Sequence, residues 1–273
     1  MPEGPEIRQS ADAIARAITY QPVDEVFFAF EHLKIYESQL TGRIVTAVKP
    51  RGKALLTQFD NGLSIYSHNQ LYGKWMIRKA RQLPTTQRQL RLAIHTAKKS
   101  ALLYSASDIE VLDDLEIAQH PFLSKLGPDV LDDDTPFETV AAQVQSPKFR
   151  RRRLAALLLD QQFLCGLGNY LRSEVLFMAG IHPLHRPCDC SEHQLTNLAQ
   201  AAIALTRQSY ETGGITNDLA IASELRSQGK KRWEYRHWVF YRDGRPCFRC
   251  GTTILKDTVS GRRCYYCPTC QSS

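Results

Sequence analysis

The sequence predicts an α+β protein of two domains: a β-sandwich with an opening helix, then a helical domain that closes in a β-hairpin zinc ribbon. Three observations carry this. Between residues 26 and 104 the apolar residues fall into short runs, rich in β-branched and aromatic side chains and separated by Gly, Pro, Asn or Asp. From Pro136 onward the apolar spacing changes to three and four residues, the period of a helix. Near the C-terminus two Cys-x2-Cys pairs are separated by sixteen residues. Strands followed by helices, without alternation, argue against a doubly wound sheet.

Pro5 suits the first turn of a helix, and Ile7, Ala11, Ile14, Ala15 and Ile18 then recur on one face. Strands are predicted over 26–30, 43–48, 53–59, 63–67, 75–78, 90–95 and 101–104, enough for a sandwich. Helices are predicted over 137–144, 152–159, 170–178 and 192–210. The acidic, Pro-containing stretch between them reads as a hinge, and the polar segment 227–232 as a mobile loop. The expected division is a first domain over 1–126, a hinge over 127–135, a helical domain over 136–236 and a ribbon over 237–273.

Thirty-five Lys and Arg against 28 Asp and Glu leave a net charge of +7 in 273 residues, which makes a polyanion the first partner to expect. Nucleic acid leads and an anionic membrane surface follows. The charge is uneven: residues 108–138 hold ten acids and one lysine, whereas 226–263 hold eleven Lys or Arg and three acids. No run approaches the roughly 18 apolar residues of a spanning helix, and the opening Met-Pro-Glu-Gly-Pro-Glu lacks the cationic and apolar regions of a signal peptide. A cytoplasmic location is therefore expected, and eight cysteines there read as metal ligands, thiols or buried hydrophobes before disulfides.

Cys247 and Cys250, with Cys267 and Cys270, have the spacing of a four-cysteine ribbon holding one structural zinc ion. Gly251 and Pro268 supply turn geometry, with hairpin arms expected over 252–258 and 263–266. Cys264, with two residues between it and Cys267, makes a rival pair, but Cys-Pro-x-Cys makes the better knuckle. Four thiolates leave no open position, so such a metal holds shape and does no chemistry. Arg262 and Arg263, near the hairpin tip, are placed for phosphate.

The N-terminus carries a second chemical signal. A chain that starts Met-Pro is expected to lose its Met, leaving Pro2 with a free secondary amine. An α-amino group titrates near pH ~8, so a useful fraction is unprotonated at neutral pH and can attack an acetal carbon. Glu3 and Glu6 lie beside it if a helix starts at Pro5, and Glu6 in the first turn suits the helix dipole. The plainer alternative is a tail residue and a helix starter.

Met-Pro-Glu-Gly-Pro-Glu, Arg51-Gly52-Lys53, Gly166-Leu167-Gly168-Asn169-Tyr170 and the cysteine ribbon occur in this order in one chain. Together they resemble the DNA glycosylase/AP lyase family of formamidopyrimidine-DNA glycosylase and endonuclease VIII, over essentially the whole length. Within that family Tyr66-Ser67-His68-Asn69-Gln70-Leu71-Tyr72-Gly73 is similar to the endonuclease VIII branch. The resemblance implies a helix-two-turns-helix domain and a partner in damaged double-stranded DNA, with no membrane and no nucleotide cofactor. It further implies a monomer associated with the nucleoid, acting in base-excision repair. Pro2 would attack C1′ and hold the sugar as a Schiff base, Glu3 would donate a proton, and Glu6 would orient the amine. Lys53 would reach the active site, contact phosphate and serve as proton donor during β,δ-elimination. Asn169, near a helix N-terminus, would take a phosphate, as its amide and free backbone donors suit even without the family. Lys148 and Arg150 to Arg153 would widen the electrostatic footprint.

Gln70, Leu71 and Tyr72 supply an amide, an aliphatic wedge and an aromatic ring between two strands. They suit the filling of a gap left by an everted nucleotide, unless Leu71 and Tyr72 fold back on the sandwich. His68 reads as structural. One departure stands out: 212–236 is long for the endonuclease VIII branch, and Gly213-Gly214-Ile215-Thr216 is similar to the damaged-base loop of its sibling. Oxidised pyrimidines are expected as substrates, with oxidised purines as the alternative. Trp233, Tyr235 and Trp238 read as strand core or as stacking residues. Two rival functions share the charge and the ribbon: a zinc-ribbon protein that binds lesions without catalysis, and an RNA-processing factor. Neither has a use for Pro2, Glu3 and Glu6.

Overall fold

Pro5 sits in the first turn of α1 (Gly4–Ile18), and Ile7, Ala11, Ile14 and Ile18 are buried along one face of that helix. This is the opening helix the apolar spacing predicts. The structure, a computed structural model, describes residues 2–272. Their packing divides the chain into two compact units, one ending at Lys125 and the other beginning at Leu126.

In the first unit β1 (Val23–Phe28) leads through a 3-10 turn and α2 (Glu37–Leu40) to β2 (Val45–Arg51), β3 (Ala54–Phe59) and β4 (Ser64–His68). Next come β5 (Lys74–Lys79), β6 (Leu90–Thr96), β7 (Lys99–Tyr104), β8 (Asp108–Leu112) and α3 (Asp114–Gln119). Two antiparallel sheets form, in the orders β1-β6-β7-β5 and β2-β3-β4-β8. Val26, Phe28, Leu92, Ile94 and Leu103 from one sheet share a core with Val48, Leu55, Ile65, Ile109 and Val111 from the other, and α1 joins it. This is the β-sandwich. The sequence reading missed β8, whose Asp108 and Glu110 alternate with buried Ile109 and Val111. Period-two alternation was there, inside an acidic run that reads as linker.

Strand β3 is buried on both faces, because Ile117, Phe122 and Leu123 cover its outer Leu56 together with Ala54, Tyr66 and Leu112. A strand so enclosed reads as a continuous apolar run.

The second unit carries α4 (Phe137–Val144), α5 (Leu154–Leu157), α6 (Asn169–Met178), α7 (Glu192–Glu211), α8 (Leu219–Ser227) and α9 (Arg232–Tyr235). A hairpin of β9 (Leu255–Val259) and β10 (Arg262–Tyr266) follows. Helix α7 packs against α4 and α6, and α6 against β10, around Val140, Leu154, Leu171, Val175, Leu198 and Ala202. Each of the Val and Leu side chains, fully buried, contributes on the order of 1.5–3 kcal/mol.

Two expectations need correction. Residues 127–135, expected as a hinge, are fastened to the second unit. Gly127 N–H donates to Gln161 O at 2.9 Å, Cys165 N–H to Pro128 O at 3.0 Å, and Val130 lies in the core. A side chain at Gly127 would press within 2.4 Å of Phe163 O, so only glycine permits that approach. Residues 227–232, expected as a mobile loop, form a pinned turn between α8 and α9. Gly229 N–H reaches Arg226 O and Lys230 N–H reaches Leu225 O, both at 3.0 Å. Among the described residues no helix is long and apolar enough to cross a membrane.

Candidate functional site

In the first unit the residues expected to carry chemistry stand at the ends of elements. Glu3 is the N-cap of α1 and is 4% exposed, with half-buried Pro2 directly before it. The Glu3 N–H donates to Glu6 Oε2 at 2.9 Å, the contact of a capping box. Glu6 therefore holds the peptide unit that links Pro2 to Glu3, and caps the helix with the same oxygen. Lys53 follows Gly52 in the turn between β2 and β3; Gly52 has φ +58°, the left-handed region that glycine enters without strain. Lys53 is 9% exposed, an uncommon degree of burial for a lysine. Its charge is felt at His68, whose pKa burial pushes down and Lys53 lowers further, against the pull of Asp108.

His68 ends β4 and starts the loop that carries Gln70, Leu71 and Tyr72. Its Nδ1 accepts the Gln70 N–H at 3.1 Å, while Gln70 itself takes φ +49°. Ser107 Oγ donates to Gln70 Oε1 at 2.9 Å, Arg88 Nη1 to Tyr72 O at 2.6 Å, and Gly73 N–H to Asn69 O at 2.7 Å. A Cβ at Gly73 would lie 2.5 Å from Asn69 O. The loop is thus held at three points while Leu71 is 56% and Tyr72 68% exposed. They project outward and do not fold back on the sandwich. Burial of two large side chains is withheld here, which leaves an apolar and an aromatic surface open to a partner.

In the second unit Asn169 opens α6 after Gly168, and its Oδ1 accepts from Arg172 Nη2 at 2.8 Å. Arg172 has no exposure at all. Its Nη2 also donates to Arg263 O at 2.8 Å and Arg262 O at 3.3 Å, and its Nη1 to Val259 O at 3.2 Å and Ala155 O at 3.3 Å. One guanidinium therefore joins the start of α6 to the tip of the hairpin, bringing together Asn169 and Arg262 from distant parts of the chain. The sequence reading missed Arg172. Its signal in the sequence is a cation set between the apolar Leu171 and Val175 of α6, beside the equally buried Ser173 and Glu174. Arg262 and Arg263 are exposed, as are Lys148 and Arg150 to Arg153. Arg152 is engaged with Asp160 at 2.8 Å.

Cys247, Cys250, Cys267 and Cys270 place their four Sγ atoms within 4.8 Å of one another, a group that could hold a metal ion. Sulfur separations of 3.5 Å for Cys250–Cys267 and 3.9 Å for Cys247–Cys270 bracket the roughly 3.8 Å expected of a tetrahedral thiolate centre with metal–sulfur bonds of about 2.3 Å. Cys264 points elsewhere: it is buried in the helical core, where its Sγ meets Ser173 Oγ at 3.9 Å. Gln271 fastens the knuckle to the helical core. Its Oε1 accepts from Cys267 N–H and its Nε2 donates to Ile181 O, both at 2.9 Å.

The long segment after α7 is no open loop. Glu174, fully buried on α6, accepts from the Thr216 hydroxyl and from the N–H groups of Trp238 at 2.8 Å and of Val239 and Phe240 at 2.9 Å. Burial pushes its carboxyl up, and these four donors oppose the rise. The Thr216 proton goes to Glu174, so His237 Nδ1–H donates to the hydroxyl oxygen at 2.8 Å. Arg232 and Arg236 donate to the carbonyls of Gly213 and Gly214.

Comparison with known proteins places this architecture. Residues 1–107 match the formamidopyrimidine-DNA glycosylase N-terminal domain, and residues 126–220 its H2TH domain. The chain is 51% identical to Endonuclease 8 of Salmonella agona over 271 residues, covering 99% of this chain and all of that protein. It is 49% identical to Endonuclease 8 of Salmonella enteritidis over the same span. A Lactococcus lactis formamidopyrimidine-DNA glycosylase bound to DNA containing an AP site shares the fold, with TM-score 0.80, 21% identity and 99% of this chain covered. A second complex of that bacterium's enzyme, with an oxidised pyrimidine in the DNA, superimposes with TM-score 0.81 at 22% identity over the whole chain. The chain belongs to the formamidopyrimidine-DNA glycosylase and endonuclease 8 family of DNA-repair enzymes.

Proposed function

We propose that this protein is a bifunctional DNA glycosylase and AP lyase that removes oxidised bases, pyrimidines foremost, from duplex DNA. The observation that carries the reading is the helix start at Pro2, Glu3 and Glu6: a half-buried proline before a buried carboxylate, with the intervening amide held by a second carboxylate. Once Met1, which lies outside the described residues, is removed, the Pro2 nitrogen attacks C1′ of the damaged nucleoside. The C1′–N bond to the base breaks and the base leaves with the electron pair. The attached nitrogen gives up its proton, and its lone pair then opens the sugar to an iminium ion, the cationic Schiff base of a secondary amine, with Glu3 giving the proton that the ring oxygen takes up. Loss of a C2′ proton expels the 3′ phosphate, and a second elimination expels the 5′ phosphate.

Glu6 fixes the peptide beside the amine. Lys53, a cation on a turn with little freedom, binds the phosphate next to the lesion and supplies a proton during elimination. Leu71 and Tyr72 fill the gap left by the everted nucleotide, and Gln70 hydrogen-bonds the base left without a partner. Asn169 and Arg262 hold phosphate together, and a single zinc ion on the four thiolates keeps the hairpin in shape. The 51% identity to an Endonuclease 8 supports the preference for pyrimidines, and the closed Gly213–Thr216 turn, with both glycine carbonyls occupied, supports it further. The protein acts as a monomer in the cytoplasm, at the nucleoid.

The test is strand scission on matched duplexes with an oxidised pyrimidine or 8-oxoguanine. Cleavage of the pyrimidine duplex to phosphates on both sides of a one-nucleotide gap is expected. Tight binding with no release of base from either duplex would leave the non-catalytic lesion binder in its place.

A further inference from the structure

Three aromatic residues of the segment after α8 read alike in sequence, and the structure separates them. Tyr235 and Trp238 are each 8% exposed, and Trp238 belongs to a core cluster with Phe177 and Cys247. Trp233 is 49% exposed. The Arg245 guanidinium lies over its ring, 4.1 Å from the centroid. Arg245 is in turn paired with Glu234 at 3.8 Å, and Glu234 is fixed by accepting the Lys231 N–H at 2.8 Å. The indole therefore stands at the surface with one face backed by a held cation.

Cations surround it. Between Arg226 and Arg236 there are five Lys or Arg and one acid, and Arg226, Lys230, Lys231 and Arg232 are all exposed. The turn at Gly229, with φ +75°, is held by backbone hydrogen bonds to Leu225 and Arg226, so the backbone that carries the two lysines is fixed shortly before Trp233 in the chain. No step of the proposed reaction uses this surface.

We infer that Trp233, backed by Arg245 and flanked by Lys230 and Lys231, is a stacking platform for unpaired nucleotides of single-stranded DNA. Arg226 and the two lysines take the phosphates, and the indole takes a base. Duplex DNA offers phosphates but hides its base faces, whereas an unpaired base presents a π-face that any sequence provides. The aromatic ring distinguishes this surface from one that binds charge alone, since an acidic peptide would pair with the lysines and leave the indole unused. The inference does not rest on the lyase chemistry, because the platform lies on elements that the Pro2 reaction does not touch.

The test uses the full chain and a labelled, undamaged oligothymidylate of about ten nucleotides, a length within the site sizes of such grooves. Anisotropy gives affinity and tryptophan emission reports stacking. Binding is expected to quench the emission, to weaken steeply between about 50 and 200 mM salt, and to fall by about five- to a hundredfold in Trp233→Ala. Trp233→Phe should recover part of the loss, and Lys230→Ser with Lys231→Ser should flatten the salt dependence. Near-ultraviolet circular dichroism checks that each variant is folded. Unchanged affinity in a folded Trp233→Ala would overturn the inference. So would displacement of the oligonucleotide by polyglutamate that is equally effective with and without Trp233. Because the DNA carries no lesion, failure here leaves the glycosylase reading standing, and the reverse holds as well.

Discussion

Arg172 Nη2 lies 2.8 Å from Asn169 Oδ1 and 2.8 Å from the carbonyl oxygen of Arg263, so one wholly buried cation ties a helix start to a hairpin tip. Removing it takes this donor from four backbone carbonyls and an amide oxygen; the bonds to Ala155 O and Val259 O are buried, and a buried acceptor costs about 1–3 kcal/mol when unpaired and dry. Arg172→Met is expected to destabilise the second unit by about 3 kcal/mol or more, with a lowered thermal midpoint for that unit. Duplex binding should weaken with it, and Arg172→Lys should recover only part of each loss, since a point charge cannot span the fork.

The metal centre makes a separate prediction. Metal analysis should find one zinc ion per chain, and Cys267→Ser should lose it. With the hairpin no longer held, Arg262 should lose the phosphate contact proposed for it, and the slope of log affinity against log salt should fall by about one. Cys264→Ser should keep the metal, because that thiol packs in the helical core.

How far the fold could be read beforehand follows from these same residues. Strands and helices with clean periodicity are legible, as is the convergence of the four cysteines, whose spacing carries its own geometry. Strand β8 was hidden because Asp108 and Glu110 face out from a sheet whose Ile109 and Val111 face in. The hinge over 127–135 was misread because acidity and proline signal a linker, while the tie came from backbone hydrogen bonds that no side chain announces. Arg172 and Glu174 were invisible for a related reason. A buried charge is specified by partners brought from remote parts of the chain, here the carbonyls at 259–263 and the amides at 238–240.

Gly73 tests the wedge loop. Any side chain there meets Asn69 O at 2.5 Å, so Gly73→Ala should shift Leu71 and Tyr72 from their outward pose. Base excision is expected to fall by about ten- to a hundredfold, with binding to undamaged duplex nearly unchanged. Equal losses in both assays would mean that the loop serves general affinity.

His237 sets an acid limit on stability. Burial holds its pKa well below the ordinary value, and the nearby Arg236 and Arg232 lower it further, against the Glu174 carboxylate 4.0 Å away. The folded state thus keeps the ring neutral while the unfolded chain protonates it near pH ~6.5. Below that value the unfolded state binds more protons, so stability falls as pH falls through and below roughly pH 6.5. Above roughly pH 7 this group contributes no slope. Denaturant melts across that range should show the loss, and His237→Gln should flatten it.

The central claim is covalent attack by the Pro2 amine. Borohydride reduction during turnover on a duplex with an oxidised pyrimidine, followed by peptide mass mapping, tests it directly. The account predicts a stable cross-link whose DNA remnant sits on the N-terminal peptide at Pro2, and a sharply reduced yield when Pro2→Gly is used under the same conditions. A cross-link mapped to Lys53 or another lysine, or full turnover with no trapped species, would contradict it.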